Sequence, residues 1–307
     1  MDLLYFLESI RTEFLDSLML LITHLGEEYP FMLIAMFVFW CVDKYEGYYI
    51  LFTGFIGIQI NQLLKVVFRI DRPWIKNPNF KPVEGSLAQA TGYSFPSGHT
   101  QSAVGTYGSI ARWNKNTLIR AICIIIFVLV AFSRMYLGVH TPYDVGVSLI
   151  IAAALVFVIY PIIKKAEENH KIMHILLAVM VAWSVVQVLI IEFFPFPSDA
   201  NSEELFSALE NSYKMLGAIV GFVFVYELDR RYIKFKTEAA LWAQIIKVLF
   251  GLGLTIAVKK ACYILFGMFA SVTVSKSLSY FVMVIFAGVV WPLTFKFFSK
   301  TKKSVNA

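Results

Sequence analysis

Charge is scarce in this 307-residue chain, and cysteine is scarcer. Only 16% of the residues are charged, while 58% are hydrophobic and the mean hydropathy is +0.69. Soluble domains carry about 25% charge. The shortage excludes two soluble domains, which the length alone would allow, and argues for one polytopic bundle of membrane helices. The three cysteines, Cys41, Cys123 and Cys262, lie far apart in apolar runs with no CxxC or His-rich cluster beside them. They are expected to be small buried side chains, not a disulfide framework or a zinc site. No repeat or low-complexity segment stands out. A net charge of +6 would suit nucleic acid, but the basic residues fall in loops between apolar runs and at the C-terminus. Membrane topology explains them better, and no nucleic-acid partner is expected.

A spanning helix needs about 20 mostly apolar residues. Such runs fall at roughly 46–68, 117–137, 143–163, 172–194, 213–228, 240–258 and 278–298. Two weaker ones are 29–42, which is short, and 99–112, which is rich in small and polar residues. Residues 3–24 are amphipathic and either cross poorly or lie in the interface. Nine or ten membrane helices are expected, the first being the weakest. That first helix carries Glu8, Arg11, Glu13 and Asp16 with no small-residue cleavage site after it, which speaks against a cleaved signal peptide.

Alternating helices would bring Lys44, Arg112, Lys115, Arg120, Lys164, Lys165, Lys171, Arg230, Arg231, Lys234 and Lys236 to one membrane face. Lys296, Lys300, Lys302 and Lys303 join them. The other face receives 25–29, 69–98, 133–142 and the acidic loop 195–205. The positive-inside rule then puts the second set outside the cytoplasm and the C-terminus inside.

Three short segments on that second face collect cations, two histidines and a carboxylate. Lys65 and Arg72-Pro73 stand at and just beyond the end of run 46–68. A lysine there either snorkels or marks a functional site. Arg72 adds a planar fork suited to phosphate oxygens. Pro96-Ser97-Gly98-His99 reads as a helix start. Ser97 can cap, Gly98 lets a ligand approach the backbone, and free first-turn amides face an anion. His99 on that turn is either structural or beside the bound group. Ser133-Arg134, His140 and Asp144 follow, and Thr141-Pro142-Tyr143-Asp144 is a second helix start. Asp144 can cap that helix, accept a hydrogen bond from His140, or do both. The loop 69–98 between the first two segments holds Pro73, Pro78, Pro82 and Pro96 and is the natural lid or substrate rim.

The full pattern is Lys-x6-Arg-Pro, then Pro-Ser-Gly-His, then Ser-Arg-x5-His-x3-Asp. It resembles the signature of the type-2 phosphatidic acid phosphatase superfamily. That superfamily includes lipid phosphate phosphatases, undecaprenyl pyrophosphate phosphatases, glucose-6-phosphatase and vanadium haloperoxidases. Every motif position is matched, and the resemblance covers about residues 14–165. It implies a six-helix phosphatase core over 1–165; residues 166–307 fall outside the resemblance, and their apolar runs are expected to add three to four membrane helices of unknown role to the all-α transmembrane bundle. It implies His140 as a nucleophile forming a phosphohistidine, Asp144 orienting it, and His99 protonating the leaving group and then activating water. Lys65, Arg72, Ser97, Gly98 and Arg134 would hold the phosphoryl oxygens, with no metal and no cofactor.

The expected activity is hydrolysis of a lipid phosphomonoester or pyrophosphate in a bacterial cell membrane, with the active site extracytoplasmic and the C-terminus cytoplasmic. Expected partners are the lipid phosphate and the bilayer, a second copy of the chain being open; the extra helices would shape a lipid groove, mediate dimerisation or select substrate. The motifs bind phosphate alone, so undecaprenyl pyrophosphate and a soluble sugar phosphate stay open as substrates. An anion transporter is the rival from another class, but it has no need of His140 and Asp144 at this spacing. The aromatics Phe68, Trp74, Phe80, Phe95 and Tyr136 near the motifs favour a lipid, unless they form an ordinary interfacial belt. The acidic residues Asp199, Glu203, Glu204 and Glu210 are expected in a solvated loop, the alternative being a cap over the site. Lys214 and Lys247, in or near apolar runs, either pair with an acid or snorkel.

Overall fold

The structure, a computed structural model, describes residues 1–197 and 200–299. Every regular element among them is helical. The chain opens with α1 (Asp2–Ser9) and α2 (Glu13–His24), separated where Thr12 leaves the helix and accepts from the Leu15 amide. There follow α3 (Glu28–Phe37) and α4 (Lys44–Phe68). Next, α5 runs over 98–113 as Gly98–Ala103, a π-helical turn Val104–Gly108, and Ser109–Trp113. The rest are α6 (Thr117–Tyr136), α7 (Pro142–Glu168), α8 (His170–Phe193), α9 (Ser202–Leu228), α10 (Leu241–Gly267) and α11 (Val272–Ile285).

Seven helical stretches are long and apolar enough to cross a membrane, or eight if α2 and α3, bent by 47°, form one broken span. The expected nine or ten is therefore too many. Residues 3–24 are two short helices, and α5 is too short: its pieces hold 6, 5 and 5 residues. At 1.5 Å per residue, α5 covers roughly 24 Å of a core about 30 Å thick. Four of the seven stretches begin at or after His170, as the sequence suggested.

Two compact units divide the chain. The first comprises Met1–Met32, Tyr49–Ile162 and Phe193–Ala208. Here α2 and α5 pack on α6. Each helix start is fixed by its own residues. Asn116 caps α6 by accepting from the Leu118 and Ile119 amides at 2.9 and 3.3 Å. Thr141 and Asp144 cap α7 reciprocally, each side chain accepting from the other's amide, at 2.7 and 3.3 Å.

The turn from α6 to α7 depends on Gly138, whose φ is +76°. A Cβ there would lie 2.7 Å from the Phe80 ring, so glycine is required by conformation and by space. Val139 and His140 both donate their amides to the Arg134 carbonyl, which curls the chain back. Arg11 donates to the Tyr136 and Lys81 carbonyls, and the Val83 amide to that of Leu137. Leu7, Met19, Val83, Tyr136, Leu137 and Val139 form the apolar cluster of this turn. Phe80 and Tyr136 are thus core residues, 1% and 2% exposed, not part of a lipid-facing belt. The apolar side chains presented outward near the motifs are instead Val67, Phe68, Ile75, Leu87 and Tyr143.

The second unit comprises Leu33–Tyr48, Ile163–Glu192 and the chain from Leu209 onward. Several of its buried polar groups pair internally, as lipid surroundings favour. Lys44 meets Asp229 at 2.6 Å, and the Trp40 and Trp291 indoles donate to the Ala287 and Lys247 carbonyls. Lys247 does not snorkel: it is 1% exposed, donates to the Thr237 carbonyl at 3.1 Å, and stands over the Phe295 ring. Lys214 lies against the Tyr280 ring. Glu210 pairs with Lys276 at 2.7 Å. Lys300, Lys302, Lys303 and Asp199 lie outside the described residues.

Candidate active site

All eight residues picked from the motifs fall in the first unit. Lys65, in the last turn of α4, is buried and donates its ammonium to the Tyr93 carbonyl. Arg72 is fixed by three carbonyls: Nε donates to Gly92 at 3.1 Å, Nη2 to Thr91 at 2.8 Å, and Nη1 to Val139 at 2.9 Å. Its fork is held before any ligand arrives, which lowers the cost of ordering it later. The same Nη1 lies 2.9 Å from His140 Nε2.

That contact fixes the imidazole. A guanidinium can only donate, so Nε2 accepts and is unprotonated, and the ring proton sits on Nδ1. Nδ1 faces Asp144 Oδ2 at 3.5 Å. The same Oδ2 accepts from the Thr141 amide at 2.7 Å and the Ser94 hydroxyl at 2.6 Å. Asp144 therefore caps α7 while its Oδ2 faces the His140 imidazole at 3.5 Å.

Ser97 caps α5, its Oγ accepting from the Thr100 amide and hydroxyl at 3.4 and 3.0 Å. Its own amide donates to the Asp144 carbonyl, tying the second motif to the third. A Cβ on Gly98 would find only Asn61 Oδ1 within 4 Å, at 3.8 Å, so the space before this first turn is open. Arg134 is fully buried, yet only Nη1 has a partner, the Thr23 hydroxyl at 2.6 Å. Its Nε and Nη2 have none. A buried guanidinium with two idle donors costs several kcal/mol unless an anion completes it. His99 Nε2 is likewise buried without a hydrogen-bond partner and looks toward Glu27 Oε1 at 3.9 Å.

Burial holds the His140 imidazole well below its usual pKa, and Arg72, Arg134 and Lys65 push it the same way. It is neutral at physiological pH. Burial also brings His99 down to about 4, Arg134 adding to the fall and Glu27 opposing it.

Several contributors escaped the motif reading. Ser94 holds Asp144, while Thr23 and Glu27 hold Arg134 and face His99 from the chain around the end of α2. The available signal was the placement of 25–29 on the motif face. The acidic loop was also misjudged. Residues Phe193–Ala208 belong to the first unit, and the Asn201 amide donates to the Tyr93 hydroxyl at 3.2 Å. Glu204 and Lys65 both reach Gly92, 3.7 and 3.6 Å from the position a Cβ would take. This segment caps the motif loops and is not merely solvated.

The chain matches the PAP2 superfamily over residues 46–168 and the PAP2 superfamily phosphatase transmembrane extension over 213–303. It is 32% identical over 148 residues to undecaprenyl-diphosphatase BcrC of Bacillus subtilis, an overlap of 48% of this chain and 74% of that one. Phosphatidylglycerophosphatase B of the same organism is 32% identical over 152 residues, covering 44% and 69%. Human sphingosine-1-phosphate phosphatase 2 is 27% identical over 143 residues, covering 45% and 35%. No solved structure matches. The cations, histidines and carboxylate gathered at one end of α4 to α7 fall within the matched range 46–168, and the chain belongs to the PAP2 superfamily and carries its transmembrane extension.

Proposed function

We propose that this integral membrane protein is a metal-independent phosphatase of lipid phosphomonoesters or pyrophosphates, acting through a phosphohistidine. The observation that carries the reading is the placement of His140, whose Nε2 lies 2.9 Å from Arg72 Nη1 while Nδ1 faces Asp144 Oδ2 at 3.5 Å. Arg72, Arg134 and Lys65 neutralise the phosphoryl oxygens, with the Ser97 hydroxyl and first-turn amides at Gly98 completing the cradle. Nε2 attacks phosphorus, the bond to the leaving oxygen breaks, and His99 gives that oxygen its proton. The phosphoryl anion, next to His99, raises its low pKa and so brings the proton with it. His99 then takes a proton from water, the water displaces the phosphoryl group, and inorganic phosphate and free His140 result. Residues 1–165 supply this core, and 166–307 the additional helices.

The exposed apolar side chains Val67, Phe68, Ile75 and Leu87 beside the first motif and lid support a substrate that stays in the bilayer. Relatives named for undecaprenyl diphosphate, phosphatidylglycerophosphate and sphingosine 1-phosphate point the same way. Phosphate release by purified protein in EDTA tests both parts. Phosphatidic acid, phosphatidylglycerophosphate or undecaprenyl phosphates in mixed micelles should be turned over far better than glucose 6-phosphate, and vanadate should inhibit. Activity lost to EDTA and restored by magnesium would sink the metal-free mechanism. Preference for glucose 6-phosphate would sink the lipid assignment.

Glu27 gives a second expected result. Its carboxylate opposes the fall in the His99 pKa, so Glu27→Gln lowers that pKa further. The proton donor is then lost at lower pH, and the alkaline limb of kcat should move down. Alkyl phosphates should slow by about tenfold, while an aryl phosphate, whose leaving group needs no proton, keeps its rate. Equal slowing of both substrates would make Glu27 structural only.

The motif loops face the outside of a bacterial cell membrane in this reading, and the C-terminus the cytoplasm. Single cysteines at the exposed positions Asn79 and Ala88 should react with an impermeant maleimide in intact cells, and one at Asn116 should not. The reverse labelling would invert the protein.

A further inference from the structure

A cavity of about 600 Å³ opens at the far end of the catalytic helices, inside the first unit. Its walls come from α5, α6 and α7. His99, Arg134 and Asp144 lie at one end of these three helices; Arg112, Arg120 and Tyr160 lie at the other. Along α6, the step from Arg134 to Arg120 is about 21 Å at 1.5 Å per residue. The cavity is thus separate from the phosphoryl site and carries no part of the chemistry above.

Its lining has a consistent chemistry. Arg112, Lys115 and Arg120 contribute three cations, and among the described residues no carboxylate lines it. The Trp113 indole nitrogen is buried without a hydrogen-bond partner. Positive-inside topology would explain basic residues at this membrane face, but not a cavity or an idle buried donor. Arg112 is exposed, and its guanidinium stacks over Tyr160 at 4.8 Å and Phe157 at 5.6 Å along the cavity wall. Apart from Asn114 and the Tyr160 hydroxyl, the remaining wall is apolar. Ile124 and Phe157 line the cavity and are 45% and 62% exposed, on helices apolar enough to cross the bilayer.

We propose that this cavity binds an anionic phospholipid from the leaflet opposite the catalytic site. The headgroup phosphate would sit among Arg112, Lys115, Arg120 and the Trp113 N–H, with an acyl chain along Ile124 and Phe157. A free anion would satisfy the cations but leave the apolar wall uncovered, which is why a lipid fits better. The site holds whatever substrate the catalytic end accepts.

Trp113 serves as the reporter. Full-length protein in detergent is titrated with phosphatidylglycerol brominated on its acyl chains, and separately with brominated phosphatidylcholine. The difference between wild type and Trp113→Phe isolates the Trp113 signal. Brominated phosphatidylglycerol should quench that signal saturably, and phosphatidylcholine should not. Cations near an anionic lipid surface contribute about 1 kcal/mol each, roughly fivefold in affinity. Lys115→Ala/Arg120→Ala should therefore raise the midpoint about 25-fold. Both side chains are exposed, and hydrolysis of a soluble aryl phosphate by the double variant should stay at the wild-type rate, showing the fold intact. Equal quenching by the two lipids, or an unchanged midpoint in the double variant, would overturn the site. Displacement of the lipid by millimolar inorganic phosphate would make it a plain anion site and overturn the lipid assignment.

Discussion

Replacing His140 with alanine is expected to lower turnover by at least about 10⁴-fold on every substrate, whatever its leaving group. The reason is that the nucleophile has no substitute. Other groups at the site are cations, the proton donor, or hydroxyls and carboxylates already engaged with Asp144, Arg134, His140 or His99. Removing one member of a nucleophilic unit costs about as much as removing all of it. The fold should survive, because the 136–140 turn is held by backbone bonds and Arg11 rather than by the imidazole. Substrate should still bind, since Arg72 is fixed by the carbonyls of Thr91, Gly92 and Val139 and not by His140 alone. Equilibrium binding of a phosphate ester to His140→Ala, beside its turnover rate, checks both halves. Near-normal turnover would remove His140 from the nucleophile's role.

The second large effect falls on His99. His99→Ala should slow alkyl phosphates by about 10²- to 10⁴-fold, the range for loss of a general acid–base. Formation of the phosphohistidine from an aryl phosphate should recover much of its rate, because that leaving group departs without a proton. Hydrolysis of the intermediate should remain slow, since water has lost its base. A burst of phenol followed by slow turnover is therefore expected from His99→Ala in a stopped-flow assay. Equal losses for alkyl and aryl substrates, with no burst, would show that His99 only shapes the pocket.

The motif residues were legible in the sequence because they are few, charged and set in an apolar chain, where each must justify its cost. Caps were legible for a similar reason: Ser97 and Thr141 act on amides three residues away, so local order states the contact. What joins distant segments was not legible. Thr23 reaches Arg134 across 111 residues, and Ser94 reaches Asp144 across 50. No local spacing encodes either pair. Hydropathy also counted more helices than the fold provides, because it cannot see the break between α1 and α2 or the shortness of α5. Aromatic residues misled in the same way. Phe80 and Tyr136 resemble an interfacial belt in composition, but the Gly138 turn folds them into the core. The acidic loop read as solvated by charge alone, and only its bond to Tyr93 reveals it as a cap.

The most direct test of the central claim is to trap the intermediate. His99→Ala is mixed with ³²P-labelled phenyl phosphate, whose leaving group needs no proton, quenched in alkali within seconds, and digested for mass spectrometry. The label should sit on a nitrogen of His140, stable in base and lost in acid, and His99→Ala/His140→Ala should carry none. Phosphate release with no protein-bound label, or label that persists in the double variant, would contradict the phosphohistidine at the heart of the account.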